Sequence, residues 1–148
     1  GLLGDTYNAS KKKKKSDRAY DEALSFDANN DVVLNNYSYY LSLRKANLEK
    51  AEKMSAQLIK NNPDNATYLD TYAWVLFVRE KYKDARKVIE KAINTGLAGS
   101  THFEHYGDIL FKLGDVDGAV RQWEKAKNML TTSNETLNKK IANRRIYE

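Results

Sequence analysis

The feature that most constrains this chain is a spacing of 34 residues between like residues. Ala51, Ala85 and Ala119 keep this step. When residues 66–99 are aligned with residues 100–133, nine positions are identical, whereas chance gives about two at roughly one match in fifteen. A fixed period of about 20 to 50 residues indicates stacked structural repeats. Such arrays present surfaces more often than reaction centres, so the spacing favours a binding protein over an enzyme.

Each 34-residue unit divides into two helical stretches. In the third unit the apolar residues of 66–79 form a wide face, and those of 82–93 recur at helical spacing. Gly96 is expected to end the second helix in the left-handed conformation. The fourth unit repeats this plan, and its first helix is predicted to begin at a capping box formed by Thr101 and Glu104.

The other units give the same pattern with more variation. The second unit predicts helices near 32–44 and 47–61, and Pro63 stops the second of them. A last helix is predicted over 134–147, with Thr132 and Glu135 as its capping box. The alanines that mark the period are expected where paired helices cross, since a small side chain lets two backbones approach closely.

Composition supports long helices and removes several kinds of site. The chain of 148 residues has one proline, seven glycines and no cysteine, which excludes disulfides and thiolate metal sites. Its apolar runs are too short to span a membrane. The net charge of +5 comes from Lys11–Lys15, because the other residues comprise 20 bases and 20 acids. This basic run is predicted to lie in a turn between the first two helices.

The repeated positions resemble those of the tetratricopeptide repeat (TPR) family. The fourth unit reads Phe103, Tyr106-Gly107, Leu110, Ala119, Trp123 and Ala126. The third reads Leu69, Tyr72-Ala73, Leu76, Ala85, Ile89 and Ala92. The second reads Asn35, Ser38-Tyr39, Ser42, Ala51, Ser55, Leu58 and Pro63, and the N-terminus fits through Leu3-Gly4, Tyr7, Ser16, Tyr20 and Ala23.

The resemblance implies an all-α fold, a right-handed TPR solenoid of antiparallel helix pairs with a C-terminal capping helix. Residues 1–148 then form a single TPR domain. Its repeats cover about 1–31, 32–65, 66–99 and 100–133, and the capping helix covers 134–147. Because the chain begins inside the first helix of a repeat, we expect it to be a fragment of a larger bacterial TPR protein.

In TPR arrays the first helices of successive repeats line a concave groove. The resemblance carries this groove to the following positions: Asn36, Tyr37, Tyr40 and Arg44; Asp70, Thr71, Trp74 and Val78; Glu104, His105, Asp108 and Lys112; and Asp5 and Asn8 at its end. Four of these residues are acidic and two are basic. The prediction is an acidic, aromatic groove that binds a protein or peptide carrying Lys or Arg. Alternatively, Tyr40 and Trp74 only pack between repeats and the acids are solvated.

Other functions have weaker support in the sequence. One TPR subclass binds a C-terminal carboxylate through cationic positions, which here hold residues such as Asp5 and Tyr37, so no chaperone-tail binding of that kind is expected. His102 and His105 lie close in sequence without a metal-binding motif, and no metal, cofactor or catalytic residue is predicted. The function predicted is a non-catalytic protein-interaction scaffold. The alternatives are a contact of the basic loop with an anionic membrane or nucleic acid, or a passive spacer. The sequence does not decide between a cell-envelope and a cytoplasmic location.

Overall fold

The computed structural model describes the backbone of residues 2–147 and the side chains of residues 11–147. Within that part of the chain, eight α-helices follow one another and no strand is present. The helices are α1 (Leu2–Phe26), α2 (Asp31–Arg44), α3 (Leu48–Asn61), α4 (Ala66–Val78), α5 (Tyr82–Asn94), α6 (Ser100–Lys112), α7 (Val116–Asn128) and α8 (Glu135–Asn143). The prediction of an all-α fold is therefore confirmed. None of the helices described is long and apolar enough to cross a membrane.

The helices form hairpins that pack in sequence. Helix α2 packs on α3, α4 on α5 and α6 on α7, and each hairpin contacts the next one. Ala51, Ala85 and Ala119 are fully buried, as expected of small residues where two helices approach closely. Apolar side chains from both helices of each hairpin and from its neighbours make the core.

The turns follow the predicted chemistry, but two helix starts differ. Gly96 has φ of 78° and ends α5 as predicted. Helix α6 begins after Gly99, whose N–H donates to Nδ1 of His102 at 3.0 Å, so the capping box of Thr101 and Glu104 is wrong: both residues already lie inside the helix. Helix α8 is capped by Asn134 and not by Thr132, because asparagine is the stronger acceptor for the first free N–H groups.

Helix α1 corrects the prediction for the N-terminus. Lys11–Lys15 lie inside one continuous helix, not in a turn. The physical reason is local: residues 5–26 contain neither glycine nor proline, and lysine is a good helix former. The side chains of Leu3, Tyr7, Asp5 and Asn8, which the prediction also used, lie outside the described residues.

Helix α2 is displaced by one residue from the predicted register. Its cap, Asn30, lies 35 residues before Asn65, the cap of α4. Leu34 and Leu41 are buried where Asn35 and Ser42 were matched to the TPR pattern. The second unit therefore reads Leu34, Tyr37-Ser38 and Leu41.

The turn after α2 accommodates the additional residue. The N–H of Ala46 donates to the carbonyl of Leu41, and Asn47 then caps α3. In the next hairpin Lys81 fulfils both functions, since its N–H donates to Leu76 and it also caps α5. The insertion rotates α2 so that its leucines face the core.

Candidate binding groove

The first helices of the three hairpins share one face, which we call the groove. With the register of α2 corrected, its members are Asn35, Asn36, Tyr39 and Leu43 on α2, Asp70, Thr71, Trp74 and Val78 on α4, and Glu104, His105, Asp108 and Lys112 on α6. Side-chain contacts between neighbouring helices support this assignment. Thr71 donates to Oδ1 of Asn35 at 2.5 Å, and Nδ1 of His105 lies 2.7 Å from Oδ1 of Asp70.

Both of the tyrosines that were predicted in the groove lie elsewhere. Tyr37 is 1% exposed and stacks on Tyr20 of α1, with ring centroids 4.9 Å apart. Tyr40 also contacts Tyr20, and the guanidinium of Arg44 lies 4.7 Å from its ring. Nη2 of Arg44 donates to both carboxylate oxygens of Asp17 on α1, at 2.9 Å to Oδ1 and 2.7 Å to Oδ2. These residues therefore join α2 to α1, and Tyr37 has no surface left for a partner.

Tyr39 and Leu43 take their place in the groove. Tyr39 is 37% exposed and Leu43 is 59% exposed. Burial is the main cause that raises the pKa of Tyr39, and the negative charge of Asp70 adds to it. The hydrogen bond from Thr71 to Asn35 holds this part of α2 beside α4. Asn36 is also exposed. With Leu43 at the groove position where Arg44 was predicted, the α2 side of the groove carries no charge.

The acid on α4 is engaged within the protein. Asp70 and His105 are both buried, and their contact at 2.7 Å joins α4 to α6. The imidazole of His105 also stacks on the indole of Trp74, with a centroid distance of 4.0 Å and an interplanar angle of 19°. Asp70 therefore serves as a structural link between two hairpins.

The acids on α6 are engaged by the last helix. Lys140 of α8 donates to both carboxylate oxygens of Asp108, at 3.0 and 3.1 Å, and lies 3.5 Å from Glu104. Trp123 of α7 donates its indole N–H to the same Asp108 carboxylate at 3.1 Å. Burial raises the pKa of Asp108 above its ordinary value, although the charge and hydrogen bonds of Lys140 act in the opposite direction. The network fixes α8 on the last hairpin.

A cleft opens beside Trp74, where the groove meets the C-terminal segment. Its volume is about 320 Å³. Trp74 stacks on Phe77 at 4.6 Å and is only partly exposed. The walls are formed by Lys45, Trp74, Phe77, Val78, Glu80, Tyr82, Asp108, Lys112, Ile146 and Tyr147. Six of these ten residues are aromatic or aliphatic and four are charged, so the cleft can hold a large apolar side chain beside charged groups.

Sequence reasoning missed part of this site for identifiable reasons. Tyr39 and Leu43 were missed because a constant step of 34 residues was carried across a 35-residue interval. The spacing of Leu34, Tyr37 and Leu41 could have revealed the shift. Lys140 was not predicted to contact the groove, because only the fold brings Asp108 close to it.

The two histidines have separate structural partners. Nε2 of His102 lies 2.9 Å from the carbonyl oxygen of Ala66, whereas His105 contacts Asp70. Across the residues whose side chains are described, no group of three or more His, Cys, Asp or Glu residues is placed to hold a metal ion.

The architecture is that of an all-α repeat protein built from helical hairpins with a groove on their first helices. Comparison with known proteins specifies the class: the chain has the tetratricopeptide-repeat fold, as its resemblance implied. No family model matches it. A TPR repeat-containing protein of Methanocaldococcus jannaschii, MJ1428, is 37% identical over 68 residues. That match covers 46% of this chain and 12% of the relative.

Solved structures agree over more of the chain. The crystal structure of YrrB, a TPR protein with an unusual peptide-binding site, has a TM-score of 0.63 and 24% identity, covering 75% of this chain and 57% of YrrB. The first TPR domain of Spaghetti (RPAP3), bound to the HSP90 peptide SRMEEVD, has a TM-score of 0.69 and 14% identity. That likeness covers 80% of this chain and 92% of the other. At these sequence identities, the structural similarity shows a shared fold and nothing more.

Proposed function

We propose that this protein is a non-catalytic interaction scaffold that binds a peptide or protein segment in the groove. The observation that carries the proposal is the cleft of about 320 Å³ beside Trp74. Its walls combine partly exposed aromatic and aliphatic side chains from α4 with the C-terminal residues Ile146 and Tyr147. The fold supports the proposal as well, since solenoids of this kind use such surfaces for binding.

The exposed apolar surface extends from the cleft onto α2. Tyr39 and Leu43 occupy the α2 positions that correspond to Trp74 and Val78 on α4, and both are accessible. Binding energy at protein interfaces concentrates in a few large side chains, tryptophan and tyrosine above all. Trp74 is therefore proposed as the main contact, with Tyr39 and Leu43 beside it. Asp70, Thr71, His105 and Asp108 are buried, and we propose that they hold the groove in shape.

A test begins with peptides selected by display against the intact protein. Because Trp74 is a large aromatic residue that lines the cleft, Trp74→Ala should weaken their binding by at least tenfold, which corresponds to about 1.4 kcal/mol. The matched control is Leu97→Ala, an exposed apolar residue after α5 and outside the groove. Binding is measured by calorimetry, and the Tm of each variant verifies folding. Selected peptides that bind Trp74→Ala as tightly as the unchanged protein contradict the proposal.

One observation also supports a second function. The side chains of Lys11–Lys15 are all exposed on α1, and they precede Asp17, which contacts the last residue of α2. This basic segment, a helix and not a loop, is the proposed contact for an anionic membrane or nucleic acid. Replacing the five lysines by serine would abolish such binding and leave groove binding intact. A passive spacer would show no saturable binding in either assay.

A further inference from the structure

We infer, on the basis of the proposed groove function, that the bound segment carries a large apolar side chain with carboxylates beside it. This charge is opposite to the one that the sequence predicted for the partner. The inference rests on three properties of the groove: its acids are already engaged, its edge carries cations, and most residues that line the cleft are aromatic or aliphatic.

The acids of the groove have partners inside the protein. Asp70 contacts His105 at 2.7 Å, and Asp108 is bound by Lys140 at 3.0 Å. Glu104 shares Lys140 at 3.5 Å. A lysine or arginine from a partner would have to compete with His105 and Lys140, which already contact these largely buried carboxylates. The three carboxylates therefore attract a basic peptide less than their number suggests.

Cations lie along the edge of the groove where its helices end. Lys45 directly follows α2, Lys112 is the last residue of α6, and Arg145 follows α8. All three side chains are exposed. Lys45 and Lys112 line the cleft beside Trp74, and Arg145 lies with Lys112 along a neighbouring depression. Charges of one sign along the margin of an interface select the complementary sign in the partner.

The cleft can accept an apolar group. Its walls include Trp74, Phe77, Val78, Ile146 and Tyr147, and its volume of about 320 Å³ is at the lower limit for small-ligand pockets. Such a volume suits one or two large side chains and not a folded domain. One exposed carboxylate, Glu80, lies among the lining residues, against the two lysines. The combination selects an apolar anchor flanked by acidic residues.

The experiment uses three synthetic peptides that share a central Leu-Phe pair and are blocked at both ends. Flanking residues are all Glu in the first peptide, all Gln in the second and all Lys in the third. Binding is followed by fluorine NMR of protein labelled with fluorotryptophan. Trp74 reports on the cleft, and the fully buried Trp123 is the internal control. We expect the Glu peptide to bind roughly threefold to tenfold more tightly than the Gln peptide, and the Lys peptide most weakly.

Charge reversal at the edge provides the decisive variant. In the double variant Lys45→Glu with Arg145→Glu, the Lys peptide should bind more tightly than the Glu peptide, the reverse of the order expected for the unchanged protein. The control, Lys83→Glu with Lys87→Glu, makes the same charge change on exposed residues of α5 and should preserve the order. The inference alone is overturned if the Lys peptide binds best to the unchanged protein, or if the edge variant keeps the original order. If no peptide shifts the Trp74 signal, the proposed groove function fails with it.

Discussion

At the scale of single residues, a close contact between two helices depends on a glycine. A Cβ atom at Gly107 of α6 would collide with the indole of Trp123 on α7 and would lie 3.0 Å from the carbonyl oxygen of Ala119. Trp123 is fully buried and its N–H is held by Asp108. The indole therefore cannot move away without disturbing the core. In the preceding hairpin the corresponding pair is Ala73 and Ile89. Alanine is larger than glycine and isoleucine is smaller than tryptophan, so the two pairs differ in opposite directions.

We predict that Gly107→Ala destabilises the protein. Overpacking of a close contact costs about 1–3 kcal/mol, and the gain of about 1 kcal/mol in helix propensity offsets part of it. The expected net loss is up to about 2 kcal/mol in the free energy of urea unfolding. Gly99→Ala is the control, because open space surrounds that position. A Gly107→Ala variant as stable as the control would contradict the contact.

The same contact predicts coupling between two substitutions. Combining Gly107→Ala with Trp123→Ile recreates the residue pair that α4 and α5 use at Ala73 and Ile89. Because the added methyl group then fills part of the space that the indole leaves, the double variant should lose less stability than the sum of the single variants. We expect a coupling of about 1 kcal/mol or more in a double-mutant cycle. Additive losses would contradict the size complementarity.

At the scale of helices, the sequence located the last three hairpins, but it predicted a turn within α1 and missed one local insertion. The predicted limits of α3, α4 and α5 agree with the structure within one or two residues. Their apolar positions repeat at a constant step, so the spacing is visible in the sequence. Helix α2 broke that step by one residue, because the turn after it is longer. Since neighbouring helix positions point about 100° apart, a shift of one residue moved Tyr37 from the predicted groove into the core.

The candidate site was predictable to a lesser degree. Trp74 lines the cleft and its helix keeps the common register, but its part in binding stays a prediction. The burial of Asp70 and Asp108 was not predictable from their positions on a helix face. It depends on His105 and Lys140, which lie more than 30 residues away in sequence and approach only in the folded array.

Helix α1 gives a prediction of its own. If Lys11–Lys15 lie in a continuous helix, Lys13→Pro should remove a backbone hydrogen bond and open the helix locally at a cost of about 3 kcal/mol. Asp17 and Tyr20 of α1, which contact α2, lie beyond the substituted residue, so the global unfolding midpoint should change little. Trypsin cleavage within the lysine run should become faster. Cleavage at an unchanged rate would indicate that this segment is already a turn.

At the scale of the whole molecule, charged contacts connect successive helices along the array. Asp17 on α1 contacts Arg44 at the end of α2, and Asp21 contacts Lys50 on α3. Glu52 of α3 is shared by Arg79 and Lys81 at the next turn. Most of these pairs are partly exposed, and such pairs contribute little stability individually. The pair between Asp108 and Lys140 differs, because both residues are buried.

That difference gives a prediction for the C-terminal helix. Lys140→Ala would leave Asp108 buried without its cation, and breaking a buried pair in this way costs about 3–5 kcal/mol. Because α8 packs only on the last hairpin among the described helices, the loss should appear first as faster amide exchange in α8. Urea unfolding should follow with a lower midpoint. The control is Lys139→Ala, which removes only an exposed contact with Glu135.

The pH dependence of this loss has a definite sign. Burial raises the pKa of Asp108, and removing Lys140 raises it further, because the opposing positive charge is gone. Between the ordinary carboxyl value of 3.8 and the raised pKa, the folded state of the variant holds a proton that the unfolded state releases. Lowering the pH through the raised pKa therefore favours the folded state. The deficit of Lys140→Ala relative to the unchanged protein should shrink as the pH falls toward 4, measured by urea unfolding at several pH values. A deficit that stays constant with pH, or one matched by Lys139→Ala, would show that the charge on Asp108 does not cause it.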